Sequence, residues 1–144
     1  MESGHVRTRV AVKAEPLDPA SLLGEVSDPA AGAIVLFLGT ARDHSEGKSE
    51  ITHLEYEAYP EQVEAKIKEV VAEACRQWPL CAIAVEHRVG DVKVGEPSVA
   101  VAVSAGHRDS AFVAGRFLID QLKARAPIWK KEHWSGGAEW VKGA

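Results

Sequence analysis

Cys81-Ala82-Ile83-Ala84-Val85-Glu86-His87-Arg88-Val89 and Ser98-Val99-Ala100-Val101-Ala102-Val103-Ser104 are two short apolar runs in close succession. Runs this short and this rich in β-branched side chains read as strands. The intervening Gly90-Asp91-Val92-Lys93-Val94-Gly95 has a glycine at each end, which predicts a turn segment. Two adjacent strands among irregularly interleaved helices place the chain in the α+β class, with a largely antiparallel sheet.

A long helix precedes this pair. Pro60 opens it, Val63, Ile67, Val70, Val71, Ala74 and Cys75 fall on one face, and Pro79 closes it. Cys75 on that apolar face reads as a buried structural thiol. Before the helix, residues 51–59 alternate, with Leu54, Tyr56 and Ala58 on one side and His53, Glu55 and Glu57 on the other. Residues 33–38 are continuously apolar, which predicts a central strand covered on both faces. The polar, glycine-containing residues 41–48 then read as a mobile loop. Nearer the start, residues 6–12 alternate as a first strand, and Asp18-Pro19 gives a cap and a first helical position for a short helix carrying Leu22, Leu23 and Val26.

After the strand pair, a third helix is expected from Asp109 or Ser110 to Arg125, with Phe112, Phe117, Leu118 and Leu122 inward. Pro127 ends it by disfavouring helical backbone at Ala126. Residues 128–134 are strand-like, and Gly136-Gly137 turn the chain into Glu139-Trp140-Val141. The 144 residues are expected to form one domain, residues 1–144, with about three helices and a core of its own.

Bulk properties narrow the function classes. A net charge of −4 argues against general nucleic-acid binding, while leaving room for a local basic pocket. The apolar run at residues 30–38 is too short to span a bilayer, and the first five residues lack a secretory pattern. The two cysteines, Cys75 and Cys81, form neither a disulfide framework nor a zinc-knuckle spacing. These features read as a soluble, cytoplasmic protein. His44 and His53 show no metal-ligand spacing, so no metal site is expected.

Three segments carry candidate chemistry. In Gln121-Leu122-Lys123-Ala124-Arg125-Ala126-Pro127-Ile128-Trp129-Lys130-Lys131-Glu132, proline forces a tight reversal from helix to strand that can bring Lys123 and Lys130 together. Alternation sets Ile128, Lys130, Glu132 and Trp134 on one face, so Lys130 and Glu132 should be partly desolvated. Gly106-His107-Arg108-Asp109 lies at a strand-to-helix junction, where free backbone N–H groups favour an anion. Pairing of His107 and Arg108 with nearby carboxylates is an equal reading of that segment. Arg42, on a glycine-started loop after the apolar strand, reads either as a ligand contact or as a solvated arginine.

Set in order, several segments resemble the large, catalytic subunit family of molybdopterin synthase. They are Gly32-Ala33-Ile34-Val35 with Phe37, Gly39 and Arg42, and Leu54-Glu55-Tyr56-Glu57-Ala58-Tyr59. His87-Arg88-Val89-Gly90, Val94-Gly95-Glu96 and residues 104–112 follow. Leu122-Lys123, residues 125–132 and Trp140-Val141 complete the set, so the resemblance runs from residue 32 to residue 141.

The resemblance implies an α/β hammerhead-type fold and a homodimer that forms the core of a heterotetramer. A small ubiquitin-like sulfur-carrier subunit would sit at each end, its Gly-Gly C-terminus entering a pocket as a thiocarboxylate. The implied reaction is a sulfurtransferase step of molybdenum cofactor biosynthesis, converting cyclic pyranopterin monophosphate to the dithiolene of molybdopterin. By the same resemblance Lys123 and Lys130 are catalytic, Arg42 and Glu132 belong to the pocket, and His107 and Arg108 reach it across the dimer interface. No cofactor is required, because sulfur arrives already activated. A scaffold that binds a sulfur carrier without catalysis is the alternative expectation.

Overall fold

The computed structural model describes residues 5–143, so the expectations on residues 1–4 lie outside the described residues. The chain runs β1 (Arg7–Lys13), α1 (Pro19–Val26), β2 (Ala33–Thr40), β3 (His53–Glu57), α2 (Pro60–Gln77) and β4 (Ala82–Arg88). It continues with β5 (Gly90–Lys93), β6 (Pro97–Ala105), α3 (Arg108–Arg125), β7 (Trp129–Trp134) and β8 (Gly137–Lys142). The expected α+β class with three helices is observed.

The strands form two four-stranded sheets, ordered β1-β4-β6-β2 and β5-β3-β7-β8. All pairings are antiparallel except β1 with β4. The adjacent runs that set the fold class do pair, with Ile83 opposite Val103 and Val85 opposite Val101. Their alternation sorts side chains by size. Ile83, Val85, Val99, Val101 and Val103 enter the larger core with α2 and α3, whereas Ala82, Ala84, Ala100 and Ala102 face the smaller core with Leu22 and Val26 of α1. Small residues on that face let the short α1 lie close to the sheet, and each fully buried valine or leucine contributes about 2 kcal/mol.

Local signals place the helix ends. The Asp18 carboxylate accepts a hydrogen bond from the Ser21 N–H at 3.3 Å, with Pro19 in the first turn of α1. In α3 the last cap is the Ala126 N–H donating to the Leu122 carbonyl at 2.9 Å, and Pro127 allows no further turn.

Five expectations change. Residues 33–38 lie in β2, an edge strand and not a central one, and Ile34 is 42% exposed. The apolar run is continuous because α1 and α3 cover parts of its two faces, not because strands flank it on both sides. The segment between the glycines is not only a turn: residues 90–93 form β5 against β3, with Val92 buried opposite Leu54. Gly90 at φ +87° and Gly95 at φ +89° provide the sharp changes of direction at either end. Phe112 points outward and is 63% exposed, while Ala111, Ala114 and Leu118 take the inner face of α3. Cys75 is only partly buried, though packed against the main core. Finally, the 41–48 loop is a closed structure: Ser45 and Lys48 exchange two backbone hydrogen bonds of 3.1 and 2.9 Å around Gly47.

Candidate active site

The site lies where the C-terminal end of α3, the end of β2 and the β3–β7 pair converge. The register shifts between Gly39 and Thr40, and Thr40 opposite Pro97 is the last pair of β2 with β6. The Ala41 N–H then donates to the Glu96 carbonyl at 3.0 Å, and the Ala41 carbonyl accepts from Gly95 at 2.8 Å. This brace fixes the backbone immediately before Arg42. On the opposite wall, Lys130 pairs in register with Tyr56, and Glu132 with Leu54. The period of two therefore turns Lys130 and Glu132 inward, as their shared face with buried Ile128 predicts.

Arg42, Lys123, Lys130 and Glu132 line one cavity of about 170 Å³, together with Tyr56 and Ser98 on its floor. Sites that enclose a whole drug-sized ligand run to about 300–1,000 Å³. This cavity therefore suits an anionic group or the tip of a peptide, with the rest of the ligand outside.

Three cations facing one small space disfavour one another's charge. Lys123 is held below the ordinary lysine range, first by desolvation and then by Lys130 and Arg42. That is the direction needed for an amine to exchange protons nearer neutrality. Glu132 is buried, which alone would raise its pKa, yet hydrogen bonds from Lys48 and Ser45 bring it below the usual carboxylate value. It is therefore a fixed negative charge in a site otherwise built for anions.

His107 and Arg108 do not join this cavity. They sit exposed at the N-terminal end of α3, His107 as the cap residue and Arg108 as the first helical residue. Fifteen residues of helix separate Arg108 from Lys123, about 22 Å at 1.5 Å per residue. One chain cannot bring both ends of α3 to one pocket.

Several site residues carried no recognisable signal in the sequence. His44 and Ser45 line the cavity, and Lys48 ties the loop to its wall. Their polar loop composition resembles that of any solvated loop. Tyr56 is buried, and desolvation raises its phenol, partly offset by a hydrogen bond with Ser98. Beside it lies the fully buried His87. The His87 Nδ1–H donates to the Arg88 carbonyl at 2.8 Å, because a carbonyl only accepts. Its Nε2 is consequently a bare acceptor, buried and without a hydrogen-bond partner among the described residues. Burial, reinforced by Lys123 and opposed by the Arg88 carbonyl, pushes the His87 pKa down to about 4.

Among the described residues no helix is long and apolar enough to cross a membrane.

Comparison with known proteins agrees with this architecture. The family model described as MoaE protein matches residues 12–125. The molybdopterin synthase catalytic subunit of Halalkalibacterium halodurans is 38% identical over 133 residues, covering 92% of this chain and 85% of that protein. Molybdopterin synthase catalytic subunit 1 of Mycobacterium tuberculosis is 42% identical over 127 residues, covering 88% and 86%. The crystal structure of molybdopterin synthase from Staphylococcus aureus superposes with a TM-score of 0.85 at 32% identity, covering 91% of this chain and 95% of that one. A family model spanning most of the chain, relatives aligned over nearly their whole length and a shared fold lead to one conclusion: the chain belongs to the MoaE family, whose members include molybdopterin synthase catalytic subunits.

Proposed function

We propose that this chain is the catalytic subunit of a molybdopterin synthase, a single domain over residues 1–144. It would transfer sulfur from the C-terminal thiocarboxylate of a small Gly-Gly-ended carrier subunit to cyclic pyranopterin monophosphate. The observation that carries the proposal is the convergence of Arg42, Lys123 and Lys130 on one cavity in an otherwise acidic protein. Both ligands are anions, and a preorganised cation cluster in a partly desolvated site binds and polarises such groups strongly.

Once the carrier's sulfur is bonded to the pterin, water attacks the acyl carbon and the acyl C–S bond breaks, leaving sulfur on the pterin and a carboxylate on the carrier. Lys123, with its lowered pKa, stabilises the oxyanion on the acyl oxygen or takes the proton from that water. Lys130 and Arg42 hold the phosphate and balance the charge of the carboxylate formed on the carrier. The chain acts as a homodimer with a carrier subunit at each end. An apolar groove supports the dimer: the exposed Phe112 of α3 lines it with Val35 and Phe37 of β2, whose outer strand edge has no sheet partner among the described residues. His107 and Arg108 begin the same helix, so a partner packed on this face can present them to the opposite cavity. The unpaired cysteines fit a cytoplasmic location.

Reconstitution tests the proposal. The purified chain, mixed with thiocarboxylated carrier and the pterin precursor, should yield molybdopterin. Carrier binding without product would leave only the scaffold reading standing.

A further inference from the structure

The Lys48 ammonium lies 2.7 Å from Glu132 Oε1 and 2.7 Å from Glu139 Oε1, and 5.2 Å from the centroid of the Trp134 ring. Its side chain is only 11% exposed and that of Glu132 only 6%, so this is an interior ion pair at the cavity wall. Ser45 Oγ donates to the same Glu132 oxygen at 3.1 Å. Within the loop, Ser45 and Lys48 bond to each other through the backbone, the Ile51 N–H donates to the Asp43 carbonyl at 2.8 Å, and Asp43 and His44 pair side chain to side chain. Those bonds close the hairpin upon itself, whereas Lys48 and Ser45 tie it to β7 and β8.

The pairing also redistributes charge. Glu132 and Lys130 are two residues apart on the inward face of β7. Without another cation, the Glu132 carboxylate would claim Lys130 and repel an incoming anion. Resting on the function argued above, we propose that Lys48 is a positioning residue for substrate binding. It neutralises Glu132, so that Lys130 stays available to the substrate phosphate, and it anchors the loop that presents Arg42. Lys48 does not touch the reacting atoms, so its loss should appear in substrate affinity much more than in turnover. Ion pairs this buried are costly to break from one side, because the remaining carboxylate keeps its charge without its partner.

The test compares wild type, Lys48→Met, Lys48→Arg and the double variant Lys48→Met/Glu132→Gln, each as the complex with thiocarboxylated carrier. Lys48→Met should raise KM for the pterin precursor about tenfold, equivalent to about 1.4 kcal/mol, with kcat changed less than about threefold. Lys48→Arg should restore KM. The double variant should bind the precursor more tightly than Lys48→Met, since a neutral glutamine cannot compete for Lys130. A KM for Lys48→Met equal to wild type, or a loss in kcat alone, overturns the inference. So does a double variant no better than the single one.

A wild-type complex that makes no product overturns the proposed function. Inorganic phosphate binding to the chain alone then decides the role of Lys48 separately. Wild type and Lys48→Arg should bind phosphate about tenfold more tightly than Lys48→Met, and equal affinities would refute it.

Discussion

The ring of His87 stands edge-on to Tyr56, with centroids 5.3 Å apart and planes inclined by 72°. Tyr56 forms part of the cavity floor, so His87 supports that floor from within the core. A histidine there must stay neutral, because an imidazolium would be both desolvated and exposed to the field of Lys123.

Stability should therefore fall as the solution is acidified below about pH 6.5. In that range the unfolded chain takes up a proton that folded His87, titrating near 4, refuses. Protons favour the state that binds them, so stability from this group is present above the unfolded pKa. It is lost progressively down to pH 4, by an amount on the order of 3 kcal/mol. Urea unfolding of wild type and His87→Asn between pH 4.5 and 7.5 measures this. The variant should show a shallower slope, and parallel slopes would contradict the buried neutral state.

Truncating either lysine should slow sulfur transfer without unfolding the chain. Lys123→Ala and Lys130→Ala are each expected to lose at least about tenfold in rate, about 1.4 kcal/mol of barrier. Melting temperatures should stay near that of wild type, because neither side chain belongs to the core. Rates matching wild type would remove the lysines from the mechanism.

The pH profile offers a finer test of the cation cluster. Lys130 and Arg42 both lower the pKa of Lys123, though desolvation lowers it more. Removing one neighbouring cation should raise that pKa while leaving it below the ordinary lysine value. If neutral Lys123 accepts a proton, the rising limb of the single-turnover profile moves to higher pH in Lys130→Met. A limb that stays put, or moves to lower pH, counts against Lys123 as the titrating group.

Mixed dimers test whether His107 serves the neighbouring site. His107→Ala and Lys123→Ala chains, each weakly active alone, should regain activity when subunits exchange. One site in each mixed dimer then has both residues intact. No recovery, after exchange is verified by mass, would keep His107 out of the shared pocket.

Two glycines predict opposite responses to alanine. A Cβ on Gly32 would stand 2.4 Å from the Gly106 carbonyl oxygen, backbone that cannot swing aside, at the junction leading into His107. Gly32→Ala should cost about 1–3 kcal/mol. A Cβ on Gly24 meets nothing within 4 Å, so Gly24→Ala in α1 should stabilise by roughly 0.5–1 kcal/mol. Equilibrium unfolding of both variants settles the contrast, and equal effects would show that the close approach is not rigid.

Much of this architecture was legible because local physics acts over short spans. Asp18-Pro19 marks a helix start wherever it packs, and Pro127 ends a helix whatever lies beyond. The alternation of Lys130 and Glu132 with Ile128 foretold which side they face. Pairing partners were not legible. Nothing in the β1 sequence announces that it lies parallel to β4, and no periodicity separates an edge strand from a central one when helices cover it. Phe112 was misjudged for a related reason: apolar character measures a wish for burial, not whether the burying surface belongs to the same chain. Within the site, the helix–proline–strand reversal let the lysine pair be picked out by charge, whereas Arg42 could equally have been a solvated loop residue and drew its pocket role from the resemblance alone. Lys48 could not be picked out, because its partners lie 84 and 91 residues away.

The parallel pairing of β1 with β4 also bears on how the protein is made. The first strand leaves the ribosome some seventy residues before its partner, Arg7 meeting Ala82 and Lys13 meeting Arg88. Most of the surface that α1 covers comes from β4 and β6, and among the described residues β2 pairs in its sheet with β6 alone. The first sheet is therefore built from contacts of high sequence separation, a topology that slows folding. Lys130 and Glu132 follow every strand of the first sheet in the chain, so that sheet has all its strands before the site has all its residues.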